Sequence, residues 1–140
     1  MSSQTEQSKE VMRRHLEAMN ERDREGCADC FAADGAPHGM DLDAFIEAEF
    51  AWFDAFPDLQ YTIRDVFAEE DRVAIHWTFE GTHEQKGGPG VVSTAEPTGE
   101  EVEIEGMNIA SIRDGEIVEY TGTWDVHLLL DAIGLIELPD

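Results

Sequence analysis

Basic side chains are scarce in this chain, with nine lysines and arginines against 32 aspartates and glutamates and a formal net charge of −23. Only Lys9 and Lys86 are lysines. Without a basic cluster such a surface repels phosphates and anionic headgroups, so neither nucleic acid nor membrane is an expected partner. Long apolar runs are missing too. Nothing approaches the roughly 20 residues of a membrane helix, and Met1 to Glu10 lacks the basic and apolar stretches of a signal peptide, so a cytoplasmic location is expected. Cysteine is limited to Cys27 and Cys30. With no second pair and no strand-to-helix redox context, they read as small apolar packing residues, and neither metal nor cofactor is expected.

What remains is 41% apolar in 140 residues, enough for one domain, residues 1–140, that buries roughly 68% of its unfolded surface. The acidic residues are spread along the whole chain rather than gathered in a tail. Asp and Glu hold water and hydrated cations, which keeps a protein soluble in molar salt, where the Debye length shrinks to about 3 Å. The composition is that expected of a halophile's cytosolic protein of haloarchaeal type.

Helical periodicity comes first. Val11, Met12, His15, Leu16 and Met19 form a stripe within 5–21, and Asp23 caps a short helix ending near Phe31. Asp41 caps a third helix with the stripe Leu42, Phe45, Ile46, Phe50, Trp52 and Phe53, which Pro57 stops near Phe56. Glu49 lies close to that stripe and reads as a rim position with its carboxylate in water. After Pro57 the period becomes two. Strands are predicted over 59–68, 72–83, 101–113 and 116–124, with tight turns at Glu70 Asp71 and Asp114 Gly115. Gln85 to Gly99, rich in Gly and Pro, reads as a loop over the edge or mouth of the sheet, and a last helix over 126–133 is closed by Gly134. The fold class is α+β: N-terminal helices packed in a strongly curved antiparallel β-sheet. Such a cone has an apolar interior open at one end, the shape of a small-molecule site.

Polar residues in phase with buried faces are the candidates for chemistry. His83 continues the parity of Val73, Ile75, Trp77, Phe79 and Gly81, and Asn108 falls among Val102, Ile104, Gly106, Ala110 and Ile112. Asp125, at a strand-to-helix junction, is either an acid projecting into the cavity or a helix N-cap. His38, in a loop near Asp34, reaches the mouth of the cone or lies in solvent. The expected substrate contacts are His38, Trp52, Trp77, Asn108 and Tyr120. A small hydrophobic molecule is the expected partner. A homodimer or higher homo-oligomer is expected as well, because Tyr120 and Trp124 share a sheet face that something must cover. Two further readings stay open: a protein that binds a ligand in the same cone without transforming it, and a dimer whose cavity is filled by Trp77 and Phe79.

Several short segments occur in a telling order: Phe56 Pro57 Asp58 Leu59, Gly81 Thr82 His83, Pro97 Thr98 Gly99, Asp114 Gly115 Glu116 Ile117 Val118 Glu119, Asp125, and Gly134 Leu135. Over roughly residues 8 to 135 the chain resembles the SnoaL-like polyketide and ester cyclases, of the cone-shaped fold typified by nuclear transport factor 2. Where that family commonly has tryptophan after the glutamate of the last strand, this chain has Tyr120. The resemblance implies a cofactor-free acid/base cyclase or isomerase acting on a small hydrophobic carbonyl compound. It makes Asp125 the acid/base and His83 the group that orients or polarises the substrate, with Asn108 or His38 as other donors to an enolate oxygen.

The acidity carries its own prediction. The melting temperature should rise steadily as KCl is raised from about 0.1 to about 2 M, as counter-ions screen the self-repulsion of the negative charge. A melting temperature independent of salt in thermal scans would contradict this reading.

Overall fold

The computed structural model describes residues 3–139. Four helices and four strands follow in the order α1 (Gln4–Asn20), α2 (Arg24–Asp29), α3 (Leu42–Ala55), β1 (Gln60–Glu69), β2 (Arg72–Thr82), β3 (Glu101–Arg113), β4 (Glu116–Trp124) and α4 (Val126–Ala132). Short 3-10 turns lie at Pro37–Gly39 and Gly90–Thr94. The helices begin where acid or hydroxyl side chains can hold their first free amides. Ser3, Asp23, Asp41 and Asp125 accept from the backbone N–H three residues on, contacts each worth about 1 kcal/mol. Part of the acidic composition therefore serves local structure. No helix of the described residues is long and apolar enough to cross a membrane.

The strands form an antiparallel meander in sequence order, β1-β2-β3-β4. Asp114 and Gly115 both take positive φ in the β3–β4 turn, the backbone a two-residue hairpin of matching twist requires. Two bulges curl the sheet: Arg64 is the extra residue of β1 between Ile63 and Asp65, and Val118 that of β4. The second bulge lets Ile117 and Tyr120, three apart, both face inward. Inward parity on β2 and β3 is as the alternation predicts, from Val73 to His83 and from Val102 to Ile112.

α1, α2 and α3 lie in the hollow of this sheet, and their apolar stripes join the concave strand faces in one core cluster. Specific bonds set the depth of α1. Ser8 Oγ donates to the Glu70 carbonyl at 2.8 Å, and the Asn20 side chain brackets Tyr61, donating to its carbonyl at 2.9 Å and accepting from its N–H at 2.8 Å. A parallel bridge between Phe31 and Ile117 ties the end of α2 to β4. The loop from Gln85 to Gly99 packs on the C-terminal end of α3 through Val92 and the close approach of Gly88 to Ala55, away from the mouth of the cone.

Gly106 is required by a close approach rather than by its φ. It pairs with Trp77 across the strands, and the indole of Trp77 lies flat over it, donating from Nε1 to Asn108 Oδ1 at 2.6 Å. A Cβ at position 106 would overlap that ring. Gly106→Ala should therefore destabilise the protein by about 1–3 kcal/mol and lower its melting temperature by several degrees, read by tryptophan fluorescence on heating. An unchanged melting temperature would show that the indole does not need the space.

Candidate active site

The interior is not filled. A cavity of about 230 Å³ lies between the helices and the concave face of the sheet. α1 gives His15, Leu16 and Met19, and α3 gives Glu49 and Trp52. The strands supply Tyr61, Trp77, Phe79, Ile104, Asn108, Tyr120, Gly122 and Trp124, while His38 and Leu129 of α4 complete the lining. Trp77 and Phe79 are wall rather than filling.

All five side chains expected to contact a substrate, His38, Trp52, Trp77, Asn108 and Tyr120, border this one cavity. His38 is exposed, on the turn before α3, with its ring 5.9 Å from that of Phe45 and 5.5 Å from that of Tyr120, so it stands at the opening. Asn108 is largely committed to the protein. Its Oδ1 accepts from Trp77 and its Nδ2 donates to the Thr121 carbonyl at 3.3 Å. Trp52 packs edge-on against Trp124, with ring centres 5.4 Å apart.

The two residues expected to carry the chemistry lie elsewhere. Asp125 is exposed, and its Oδ1 accepts from Leu128 N at 3.2 Å as the N-cap of α4. The reason is parity: Tyr120, Gly122 and Trp124 face the cavity, so Thr121, Thr123 and Asp125 face outward. His83 is buried, as its parity predicts, but the sheet is longer than the cavity. Phe56 stands next to both Phe79 and His83, with ring centres 5.4 Å from each, and His83 meets the loop instead. Its Nδ1 accepts from Thr98 N at 3.3 Å, and its main chain pairs with Gly99 and Glu100.

Glu49 overturns its reading as a rim residue. At the i+4 position from Phe45 and i+3 from Ile46, it occupies the middle of the inner stripe of α3 and projects into the cavity. The residue is half-buried, and its side chain borders the cavity. It has no hydrogen bond or ion pair to any described residue and is the one carboxylate among the described lining residues. Burial without a partner disfavours the charged form and raises its pKa from 4.5 to about 7. Its charge is felt by the hydroxyls of Tyr61 and Tyr120, which burial already pushes well up, so both stay protonated.

The surroundings of His15 are a second feature absent from the sequence reading. His15, counted there as one position of a core stripe, has Nδ1 3.3 Å from Cys27 Sγ and Nε2 3.5 Å from the Tyr120 hydroxyl. Burial lowers its pKa to about 4, so the ring is neutral near pH 7. Cys27 and Cys30 are free and buried, in line with packing, and no three metal-ligating side chains come together among the described residues. The signals that could have found Glu49 and His15 are the same: an ionisable residue in register with an apolar helical stripe.

The raised pKa of Glu49 links to stability with a definite sign. The folded state holds this proton up to about pH 7 and the unfolded state only to about 4.5, so the stabilisation is complete below 4.5 and is lost as pH rises through 7. Urea unfolding at fixed salt should show Glu49→Gln gaining on the parent protein across that window, by at most about 3 kcal/mol at pH 8. A stability difference that does not vary with pH would mean that the carboxyl is solvated.

Comparison with known proteins agrees with this architecture. AclR, a proposed hydroxylase from Streptomyces galilaeus, is similar in structure with a TM-score of 0.81 and 25% identity, over 95% of this chain and 84% of that one. The candidate polyketide cyclase IdmH from Streptomyces antibioticus matches with a TM-score of 0.78 and 25% identity, over 91% and 98% of the two chains. A candidate SnoaL-like polyketide cyclase from Jannaschia sp. CCS1, 19% identical, shares the fold with a TM-score of 0.80 over 99% and 98%. No curated protein matches the chain. The family model of the SnoaL-like polyketide cyclases matches residues 9–133, and the chain belongs to that family.

Proposed function

We propose that the protein is a cofactor-free acid/base enzyme that enolises a small hydrophobic carbonyl compound, for ring closure of the aldol type or a related isomerisation, with Glu49 as the proton-transferring group. The observation that carries this reading is the unpartnered carboxyl in an aromatic cavity. A pKa near 7 gives a base strong enough to take a proton from a carbon flanked by two carbonyls and an acid weak enough to return it at the same pH. The aromatic walls take the apolar body of the ligand and exclude water. Membership of a family of cyclases supports the reaction class. In this reading Asp125 anchors α4, whose Leu129 closes the cavity, and His83 anchors the loop.

The same proposal extends to the setting. The acidity is read as adaptation to a saline cytoplasm. A homo-oligomer stays proposed on a different surface, since Tyr120 is buried and Trp124 half-buried within the fold while Phe67, Met107 and Ile109 are exposed on the outside of the sheet.

Proton transfer can be followed without the natural substrate. Ethyl 2-methylacetoacetate, a β-keto ester with one acidic C–H, is incubated with the protein in D2O, and loss of that proton is read by NMR. Wild type should accelerate exchange saturably, with a rate that rises with pH to a plateau above about 7. Glu49→Gln should lose at least about 100-fold, and Asp125→Asn should retain the activity. Exchange no faster than in buffer, or equal in Glu49→Gln, would leave the ligand-binding reading of the same cone.

A further inference from the structure

Two lining residues of the cavity, His15 and Tyr120, are joined to Cys27 behind them in a chain of polar contacts: Cys27 Sγ is 3.3 Å from His15 Nδ1, and His15 Nε2 is 3.5 Å from the hydroxyl of Tyr120. Cys27 and His15 are buried, Tyr120 nearly so, and the contacts run from the core beneath α2 to the cavity surface. At neutral pH each group carries one proton: burial raises the thiol and the phenol and lowers the imidazole. Three protons for two internal hydrogen bonds leave one over. Two arrangements are consistent with the geometry. Either the thiol donates to Nδ1, Nε2–H donates to the Tyr120 oxygen, and the phenol O–H is left for the cavity. Or the phenol donates to Nε2, Nδ1–H donates to sulfur, and the thiol turns to Met19 Sδ, 3.6 Å away.

The acceptors decide between them. Each arrangement uses one imidazole nitrogen as acceptor, but the second places its other two protons on sulfurs, both weak acceptors, whereas the first places them on a phenol oxygen and whatever acceptor lies in the cavity. A carbonyl oxygen there completes the first set and is lost to the second. We propose that Cys27 and His15 are positioning residues that hold the Tyr120 O–H as a donor aimed into the cavity, where it receives the carbonyl oxygen of a neutral compound whose acidic C–H faces Glu49. This rests on the reading that the cavity takes a carbonyl compound. Tyr61, the other phenol of the wall, has its main chain fixed by Asn20 but no described side chain to orient its hydroxyl.

The cavity also sets the size of that compound. A closed apolar cavity of about 150 Å³ accepts benzene. In the same proportion, about 230 Å³ accommodates about nine or ten non-hydrogen atoms, one ring with a short carbonyl side chain. A fused polycycle would extend through the opening beside His38. An anionic ligand is disfavoured by Glu49 once it ionises. The inferred ligand class is therefore a neutral, single-ring or short-chain ketone or ester.

Two measurements on the full chain test this. Nitrogen-15 NMR of the histidines, with His15 assigned by its loss in His15→Gln, should show a neutral Nε2–H ring in wild type. Cys27→Ala should bring in the Nδ1–H form, and Cys27→Ser, which keeps a donor, should restore wild-type behaviour. The second uses acetophenone carrying a carbon-13 carbonyl as the probe. Its bound infrared stretch should move to lower frequency in wild type, return toward the free value in Tyr120→Phe, move only partly back in Cys27→Ala, and recover in Cys27→Ser. An Nδ1–H tautomer in wild type, or a carbonyl stretch indifferent to Tyr120→Phe, overturns the proposal, and the wild-type tautomer needs no variant to fold. A carbonyl shift that persists in Glu49→Gln, while proton exchange in the β-keto ester is absent even in wild type, supports the Tyr120 donor and overturns the catalytic role of Glu49.

Discussion

The site depends on one uncompensated desolvation. Glu49 sits on the inner face of α3 with nothing to pair with, and the cost of leaving a carboxylate there is what brings its pKa to neutrality. An acid with a structural role is ion-paired or hydrogen-bonded, as the exposed Asp58 is by the backbone and hydroxyl of Thr82, which hold its pKa below the usual range. The contrast between these two acids, one satisfied at the edge of the fold and one unsatisfied at its centre, is the clearest sign of function in the molecule. Carboxyls shifted in this way cluster at functional sites.

The cavity that imposes this cost is made by subtraction. Bulges at Arg64 and Val118 curl the sheet away from the helices. Gly106 and Gly122 remove side chains where Trp77 and Asn108 must lie across neighbouring strands. The bracketing of Tyr61 by Asn20 and the bridge from Phe31 to Ile117 hold the helices at a fixed depth rather than letting them collapse into the hollow. The aromatic side chains bordering the space pack on one another, as Trp52 does on Phe79 and Trp124, so that the wall stands without a ligand. Preorganisation of this kind lets binding energy be used on the reacting atoms rather than on assembling the pocket.

Polar chemistry is divided between two walls. α3 presents the one carboxyl and β4 presents Tyr120, backed by His15 from α1 and Cys27 from α2. Every helix of the N-terminal layer thus contributes a titratable side chain to the cavity or to its backing. The acid and the donor come from different layers, so their separation is set by how the helices seat in the sheet. Single-sequence patterns do not encode that distance.

The fold was legible in the chain because it rests on local rules: apolar periodicity of 3.6 then 2, Asp at helix starts, Pro57 at a helix end, and turn residues at Asp114 Gly115. Alternation also placed Trp77 and Asn108 on the buried face. It could not tell which buried positions border empty space, so His83, in phase but beyond the end of the cavity, was indistinguishable from Trp77. On β4 the bulge at Val118 breaks the alternation, and only the folded sheet shows that the aromatic face turns inward and Asp125 outward. Glu49 and His15 stood in plain view on helical stripes, but an ionisable residue there is read as a rim or core position until the opposite wall is known. Local sequence determined the elements and their buried faces through short-range sterics and hydrogen bonding. Which buried groups meet a void, and hence which carboxyl loses its water, was decided by contacts among residues far apart in the chain, which only the tertiary structure contains.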